Sequence, residues 1–275
     1  MKTYRILIPV FNDWESLSTL LSNIDVLKLN TFGNITILVI DDCSTEILSK
    51  KINFNSFDVE IIKNAKNIGH GKSIANGIQY LSNKNDFDCL IVMDGDGEDR
   101  PEEIKQLILK SIAFPSATIT ANRIKRSEGL LFKLFYILHK ILTFVLTGRS
   151  IKFGNFMCIP KKELSPISSN PNLLVSFSGT ISKFIKDKQQ IPSIRGIRYH
   201  GPTKMSFLKL VRHSLLIISV FKYEVLLRSS LLMFISVIFA FYYAKNIFLI
   251  LMIPIASIDI LIIFTIFYLY KKNSI

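Results

Sequence analysis

Short apolar runs alternate with helical patterns and turn residues through residues 1 to about 200, and this alternation restricts the folds open to the chain more than any other feature. Arg5–Pro9, Ile35–Ile40, Val59–Ile62, Cys89–Met93 and Ala117–Thr120 read as buried strands, with helical patterns over Trp14–Leu27, Gly71–Leu81 and Pro101–Ser111. Apolar strands joined by helices imply a mostly parallel sheet covered on both faces. Such sheets bind ligands outside the carboxyl ends of their strands. The residues following the strands are therefore the informative ones. They are Val10-Phe11-Asn12-Asp13, Asp41-Asp42-Cys43-Ser44, Asn67-Ile68-Gly69-His70-Gly71-Lys72 and Asp94-Gly95-Asp96-Gly97-Glu98-Asp99. Polar and acidic side chains are expected to converge on one edge.

Asp94 and Asp96 are the sharpest feature of that edge. Alternate residues of an extended segment share a face, so both carboxylates could approach one hard cation. Mg²⁺ or Mn²⁺ is commonly held by one or two carboxylates together with substrate phosphates. Glu98 continues the alternation and offers a third oxygen. The alternative is an acidic turn capping the helix that begins near Pro101. The glycines of Asn67–Gly71 fit neither G-x-G-x-x-G nor G-x-x-x-x-G-K-[ST]. They allow a tight turn beside a nucleotide, where His70 and Lys72 could be ordinary surface residues.

The C-terminal quarter has a different composition. Ser229–Ala244 carries no charge, and Ile247–Tyr270 carries only Asp259. A membrane span needs about 20 apolar residues, so two spans are expected, the first with Arg228 snorkelling to the interface. Lys204, Lys209, Arg212, Lys222 and Arg228 precede them and Lys271 and Lys272 follow, which puts both ends in the cytoplasm. Met205–Tyr223 has the pattern of an interfacial amphipathic helix, and Leu130–Leu146 is either a second one or core. Cys43, Cys89 and Cys158 are widely spaced without C-x-x-C, which supports neither a zinc site nor a disulfide framework. No secretory signal pattern opens the sequence. The net charge of +13 with 49% hydrophobic residues excludes a disordered chain. Nucleic-acid binding is disfavoured, because the basic residues flank apolar spans and no binding motif occurs.

The segments IPVFND, VIDDCS, NIGHGKSIANGI and VMDGDGEDRPEEI resemble the family-2 glycosyltransferases of the GT-A fold over about residues 4–160. With RGIRYHGPTKMSFLKL and the apolar C-terminus, the chain resembles the polyprenyl-phosphate glycosyltransferases, the group of dolichol-phosphate mannose synthase and the bactoprenol glucosyltransferases. The resemblance implies a Rossmann-like GT-A domain over 1–200, an interfacial segment over 201–224 and a transmembrane hairpin over 225–275. It puts Pro9 and Asp13 in the first nucleotide-contacting loop, Asp42 at the base or ribose, and Asn67, Gly69 and Lys72 in a further nucleotide loop. Asp94 and Asp96 match the family's D-x-D, with Asp94 also touching the nucleotide and Asp96 the direct metal ligand. Glu98 replaces a frequent Gln, and Met157 replaces the arginine that follows the segment matched by Gly154-Asn155-Phe156. Gly201-Pro202-Thr203-Lys204 is similar to the Gly-x-Ser-Lys element before the interfacial helix.

The function so implied is transfer of a sugar, with inversion, from a nucleotide sugar to a polyprenyl (undecaprenyl-type) phosphate, with Mg²⁺ or Mn²⁺, at the cytoplasmic face of the inner (plasma) membrane. A lipid phosphate is already anionic at neutral pH, so cations to hold it matter more than a base. Arg123 and Arg126 are the catalytic and acceptor-phosphate candidates, followed by Arg198 and Lys204. Transfer to a glycolipid or polysaccharide hydroxyl is the alternative and would need a base such as Glu98, Asp99 or Glu102. An inactive nucleotide-binding membrane scaffold is a third reading. A lipid bilayer is an expected partner, and the sequence is compatible with a homo-oligomer.

Overall fold

Seven strands build one sheet in the computed structural model, which describes residues 1–46, 54, 56–125, 141–202, 207–243 and 247–274. They are β1 (Thr3–Val10), β2 (Asn34–Asp41), β3 (Asp58–Lys63), β4 (Cys89–Val92), β5 (Thr118–Lys125), β6 (Phe153–Pro160) and β7 (Lys188–Ile194). Their order is β3-β2-β1-β4-β6-β5-β7. β1 is parallel to β2 and β4, β2 to β3, and β5 to β7, while β6 runs antiparallel between β4 and β5. The mostly parallel sheet expected from the sequence is therefore present.

Period-two alternation divides the core between the two faces. Ile6, Ile8 and Ile37 pack with Leu17, Leu20 and Leu21 of α1 (Trp14–Val26) and Leu107 of α3 (Ile104–Ala113). Leu7, Leu38 and Ile40 pack on the other face with Ile74 and Ile78 of α2 (His70–Ser82). Ile167 and Ile181, from helices Lys161–Ser168 and Phe177–Phe184, complete that second layer. Each such side chain is fully buried, which is worth about 1.5–3 kcal/mol. Gly77 of α2 lets the helix close on the sheet, since a Cβ there would lie 2.4 Å from Leu7 Cδ1 and 3.1 Å from Ile40 Cγ1.

β6 and β7 are additions to the strands read from the sequence, for physical reasons. β6 opens with Phe153-Gly154-Asn155 and is continuously apolar only from Phe156 onward, so its start reads as a loop. β7 is an edge strand of sequence KQQIPSI, buried at every second position at most. An edge strand can accommodate Pro192, which lacks a ladder donor. The helix expected from Pro101 begins as a 3-10 turn over Pro101–Glu103 before α3. Cys89 and Cys158 are buried and Cys43 is half-buried, all three as free thiols.

The chain divides into two compact units, Met1–Ser127 with Lys152–Met205, and Glu128–Ile151 with Ser206–Ile275. The first holds the sheet. In the second, residues 141–147 are helical, and helices Phe207–Ser219, Lys222–Tyr243 and Ile247–Asn273 follow. The last two are antiparallel: Lys222 Nζ lies 3.3 Å from the Tyr270 ring centroid, and Tyr223 meets Phe267 edge-on. Arg228, expected to snorkel, lies over Gly148, where a Cβ would come within 2.3 Å of its Nη2. Leu227, Leu231, Phe234, Leu261 and Phe264 leave a broad apolar surface exposed. Among the described residues no helix is long and apolar enough to cross a membrane. The expected spans are thus seen as a helical pair, the first of which includes Lys222, Glu224 and Arg228. The part of Leu130–Leu146 before residue 141 lies outside the described residues.

Gly77→Val should destabilise the sheet unit by about 1–3 kcal/mol through overpacking. Thermal unfolding should register this as a fall in Tm of roughly 2–4 °C per kcal/mol, with the far-UV spectrum retained below the transition.

Candidate active site

Three loops at the carboxyl ends of β1, β2 and β3 are tied together before any ligand is considered. Asn12 adopts the left-handed conformation (φ 45°), which turns its side chain across to the loop after β2. Its Oδ1 accepts from Thr45 N at 2.9 Å and Glu46 N at 3.2 Å, and its own N–H donates to Ser44 Oγ at 3.0 Å. Asp41 Oδ1 accepts from Ser44 N at 2.8 Å. Asp42 is 2% exposed and accepts from Ile68 N, Gly69 N and Asn64 Nδ2 at 2.8–3.0 Å. Its carboxylate thus holds the Gly69 turn (φ 89°) that starts α2. Pro9 is buried in β1, Asn67 is exposed and Lys72 is half-buried in the first turn of α2.

After β4 the chain turns at once, so Asp94 and Asp96 are brought together by a turn rather than by the extended segment the spacing suggested. Gly97 (φ 90°) makes the turn possible, and Asp96 Oδ1 accepts from Glu98 N at 3.0 Å. Asp94 Oδ1 faces His70 Nε2 at 3.1 Å and accepts from Asn155 Nδ2 at 3.3 Å. Burial opposes ionisation of Asp94, but His70, Arg123 and Asn155 outweigh it and hold its carboxyl well below the usual range. Burial also opposes charge on His70, yet Asp94 raises its pKa. Asp96 moves the other way, raised by burial and by the charge of Asp94. Asp99 is 2% exposed, accepts from Asp94 N at 2.9 Å and from Arg123 Nη2 at 3.2 Å. Burial and Asp94 push it up to about 7.

A segment nearly 100 residues further on covers this loop. Gly196 N donates to Glu98 O at 2.8 Å and Tyr199 N to Asp96 O at 2.9 Å. Tyr199 packs on Gly97, and its hydroxyl accepts from Asn23 Nδ2 of α1 at 3.0 Å. Arg195 pairs with Glu98, and Arg198 bridges Asp96 (2.7 Å) and Asp13. Glu98 is therefore turned to a guanidinium and does not join Asp94 and Asp96 as a third oxygen. Among the described residues no group of three or more His, Cys, Asp or Glu side chains could hold a metal ion alone. Five carboxylates, those of Asp13, Asp94, Asp96, Glu98 and Asp99, gather on this edge, with Arg123, Arg195, Arg198 and His70 among their partners. The hard oxygens of Asp94 and Asp96 on such an edge fit a divalent cation that takes its other ligands from phosphate.

Of the residues singled out in the sequence, Asp13, Asp94, Asp96, Glu98, Arg123 and Arg198 come together here, while Arg126 and Lys204 lie outside the described residues. Asp99, read in the sequence only as a candidate base, and His70, read as a possible surface residue, join the first group, and Asn155 and Arg195 are the additions. Met157, at the arginine position of the resembling family, is fully buried beside Val92 in the α2 layer. A Cβ on Gly196 would stand 2.3 Å from Gly97 O, a backbone atom. Gly196→Ala should therefore cost about 1–3 kcal/mol and loosen the acidic turn. Gly71→Ala in α2, with nothing within 4 Å, should leave Tm unchanged or higher; differential scanning calorimetry of both variants checks the pair.

The geometry can be set beside known proteins. Undecaprenyl-phosphate 4-deoxy-4-formamido-L-arabinose transferase from Klebsiella pneumoniae subsp. pneumoniae is 23% identical over 217 residues, which is 77% of this chain and 65% of that one. Its counterpart from Salmonella choleraesuis is 25% identical over 220 residues, with the same shares. The chain thus spans 65% of the length of these curated relatives. Among solved structures, glucosyl-3-phosphoglycerate synthase from Mycobacterium tuberculosis shares the fold at a TM-score of 0.56 with 11% identity, covering 82% of this chain and 78% of that one. Mannosyl-3-phosphoglycerate synthase from Rubrobacter xylanophilus does so at 0.53 with 13% identity, covering 83% and 75%. The pattern of glycosyl transferase family 2 matches residues 5–164. With more than half its length in that match, and with the sheet and acidic turn described above, the chain belongs to glycosyl transferase family 2.

Proposed function

We propose that the chain transfers a sugar, with inversion, from a nucleotide-sugar donor to a polyprenyl phosphate of the undecaprenyl type, at the cytoplasmic face of the inner (plasma) membrane. The family supplies the transferase reading, and the curated relatives are named for undecaprenyl phosphate. The mycobacterial synthase of similar fold was crystallised with Mn²⁺ and UDP, which supports a divalent ion and a nucleotide donor here. A Mg²⁺ or Mn²⁺ ion held by Asp94 and Asp96 would neutralise charge on the departing diphosphate.

One observation supports the choice of acceptor: the three carboxylates weighed as a base toward a hydroxyl are each paired with an arginine. Glu98 is paired with Arg195, Asp99 is buried against Arg123 and the Asp94 N–H, and Glu102 lies 3.5 Å from Arg100. A phosphate acceptor needs no base, because its oxygens are ionised before they attack the anomeric carbon. It needs orientation, and Arg123, fixed through one nitrogen on Asp99, has further donors suited to phosphate oxygens. His70 and Asn155 keep Asp94 in place. The apolar surface of helices Lys222–Tyr243 and Ile247–Asn273, with basic residues Lys222, Lys271 and Lys272 at one end, supports attachment to a bilayer through this pair.

Purified protein in detergent, given labelled nucleotide sugars and undecaprenyl phosphate, should form an acid-labile lipid-linked product. EDTA should stop the reaction and Mg²⁺ or Mn²⁺ restore it. Label appearing only in an acid-stable glycoside would favour the hydroxyl reading. Asp96→Asn should lower the rate at least 100-fold with Tm little changed. In cell fractionation the chain should stay in the membrane pellet through an alkaline carbonate wash, and its release to the supernatant would count against anchoring.

A further inference from the structure

Arg198 occupies a position that the sugar-transfer reading does not explain. All three of its guanidinium nitrogens are engaged: Nη1 donates to Asp96 Oδ2 at 2.7 Å, Nη2 to Asp13, and Nε to His200 O at 2.8 Å. The side chain is only 10% exposed. Its backbone is fixed as well, because Tyr199 N and Gly196 N bond the carbonyls of Asp96 and Glu98. The segment is held to the acidic turn, and the arginine side chain is what remains to move.

An arginine stays protonated at any working pH. A divalent cation reaching Asp96 must therefore meet a permanent positive charge already on the same carboxylate. Like charges that close oppose each other, so a bare metal ion has to displace Arg198 from Asp96 and leave it on Asp13 and His200 O alone. A nucleoside diphosphate changes this, since its oxygens take a guanidinium bidentately. The geometry points to Arg198 as a resident counter-cation that hands Asp96 over to the metal only when a diphosphate arrives with it. This positioning role rests on the metal-and-nucleotide reading above and makes the two ligands thermodynamically coupled, each raising the affinity for the other by the same factor. It also keeps Asp13 and Asp96 paired between turnovers.

The test is Mn²⁺ binding to the full chain, followed by electron paramagnetic resonance of the free ion, with and without UDP, GDP or CDP. Wild type should bind Mn²⁺ weakly alone and at least ten-fold tighter with the matching nucleoside diphosphate. Arg198→Met should bind Mn²⁺ alone at least ten-fold tighter than wild type, and its gain from nucleotide should shrink correspondingly. Arg198→Gln carries the same expectation should the methionine variant fail to fold. Arg198→Lys, a compact charge unable to bridge both carboxylates, should fall between. Equal Mn²⁺ affinity in wild type and the neutral variants, with nucleotide coupling intact, overturns the role of Arg198 and leaves the transferase reading standing. No Mn²⁺ binding by any of these proteins under any condition overturns both.

Discussion

Carboxylates collected at one edge of a sheet repel one another, and a fold keeps them there only by supplying positive charge of matching geometry. In this chain the partners come from distant places: Arg123 from β5, Arg195 and Arg198 from the segment after β7, and His70 from the start of α2. β7 at the edge beside β5 delivers residues 195–200 across the acidic turn. Asp94 and Asp96, two residues apart, shift in opposite directions, the first held down by His70 and Arg123 against its burial, the second raised by burial and by the charge of Asp94.

The central strands were legible because they are buried on both faces and carry little besides Ile, Leu and Val. Asp94 and Asp96 stood out because acidic residues directly after such a strand have no packing role. What was illegible depends on long-range contacts. Asn155 sits in a half-polar strand start, His70 in what reads as a surface turn, and Arg195 in a basic stretch whose partner lies 97 residues away. Asp42 shows the converse: its position after β2 suggested a ligand contact, and its carboxylate is spent on the backbone of the next loop. Only the three-dimensional path of the chain distinguishes those uses.

Charge and hydrophobicity separate along the chain. Eight basic and two acidic residues lie in Gly201–Ile275, together with the long apolar stretches Ser229–Ala244 and Ile247–Tyr270. In the second unit the cations lie against aromatic rings and glycine: Lys222 is over Tyr270 and within cation–π range of Tyr223 and Phe267, and Arg228 covers Gly148. Such contacts let a long cationic side chain rest on apolar surface while its charge stays engaged. In the sheet unit the arginines are instead fixed on carboxylates. One residue type thus serves two different chemistries in the two units.

The 102-residue separation of Asp96 and Arg198 has a consequence for synthesis. At about 5–20 residues per second, the ribosome would deliver the arginine roughly 5–20 s after the aspartate. For nearly all of that interval the nascent acidic turn has neither Arg195 nor Arg198, and for more than half of it β4 lacks β6 beside it. The sheet cannot close from the N-terminus onward. Its last edge must wait for the stretch between residues 127 and 152, which belongs to the other unit, to leave the ribosome first.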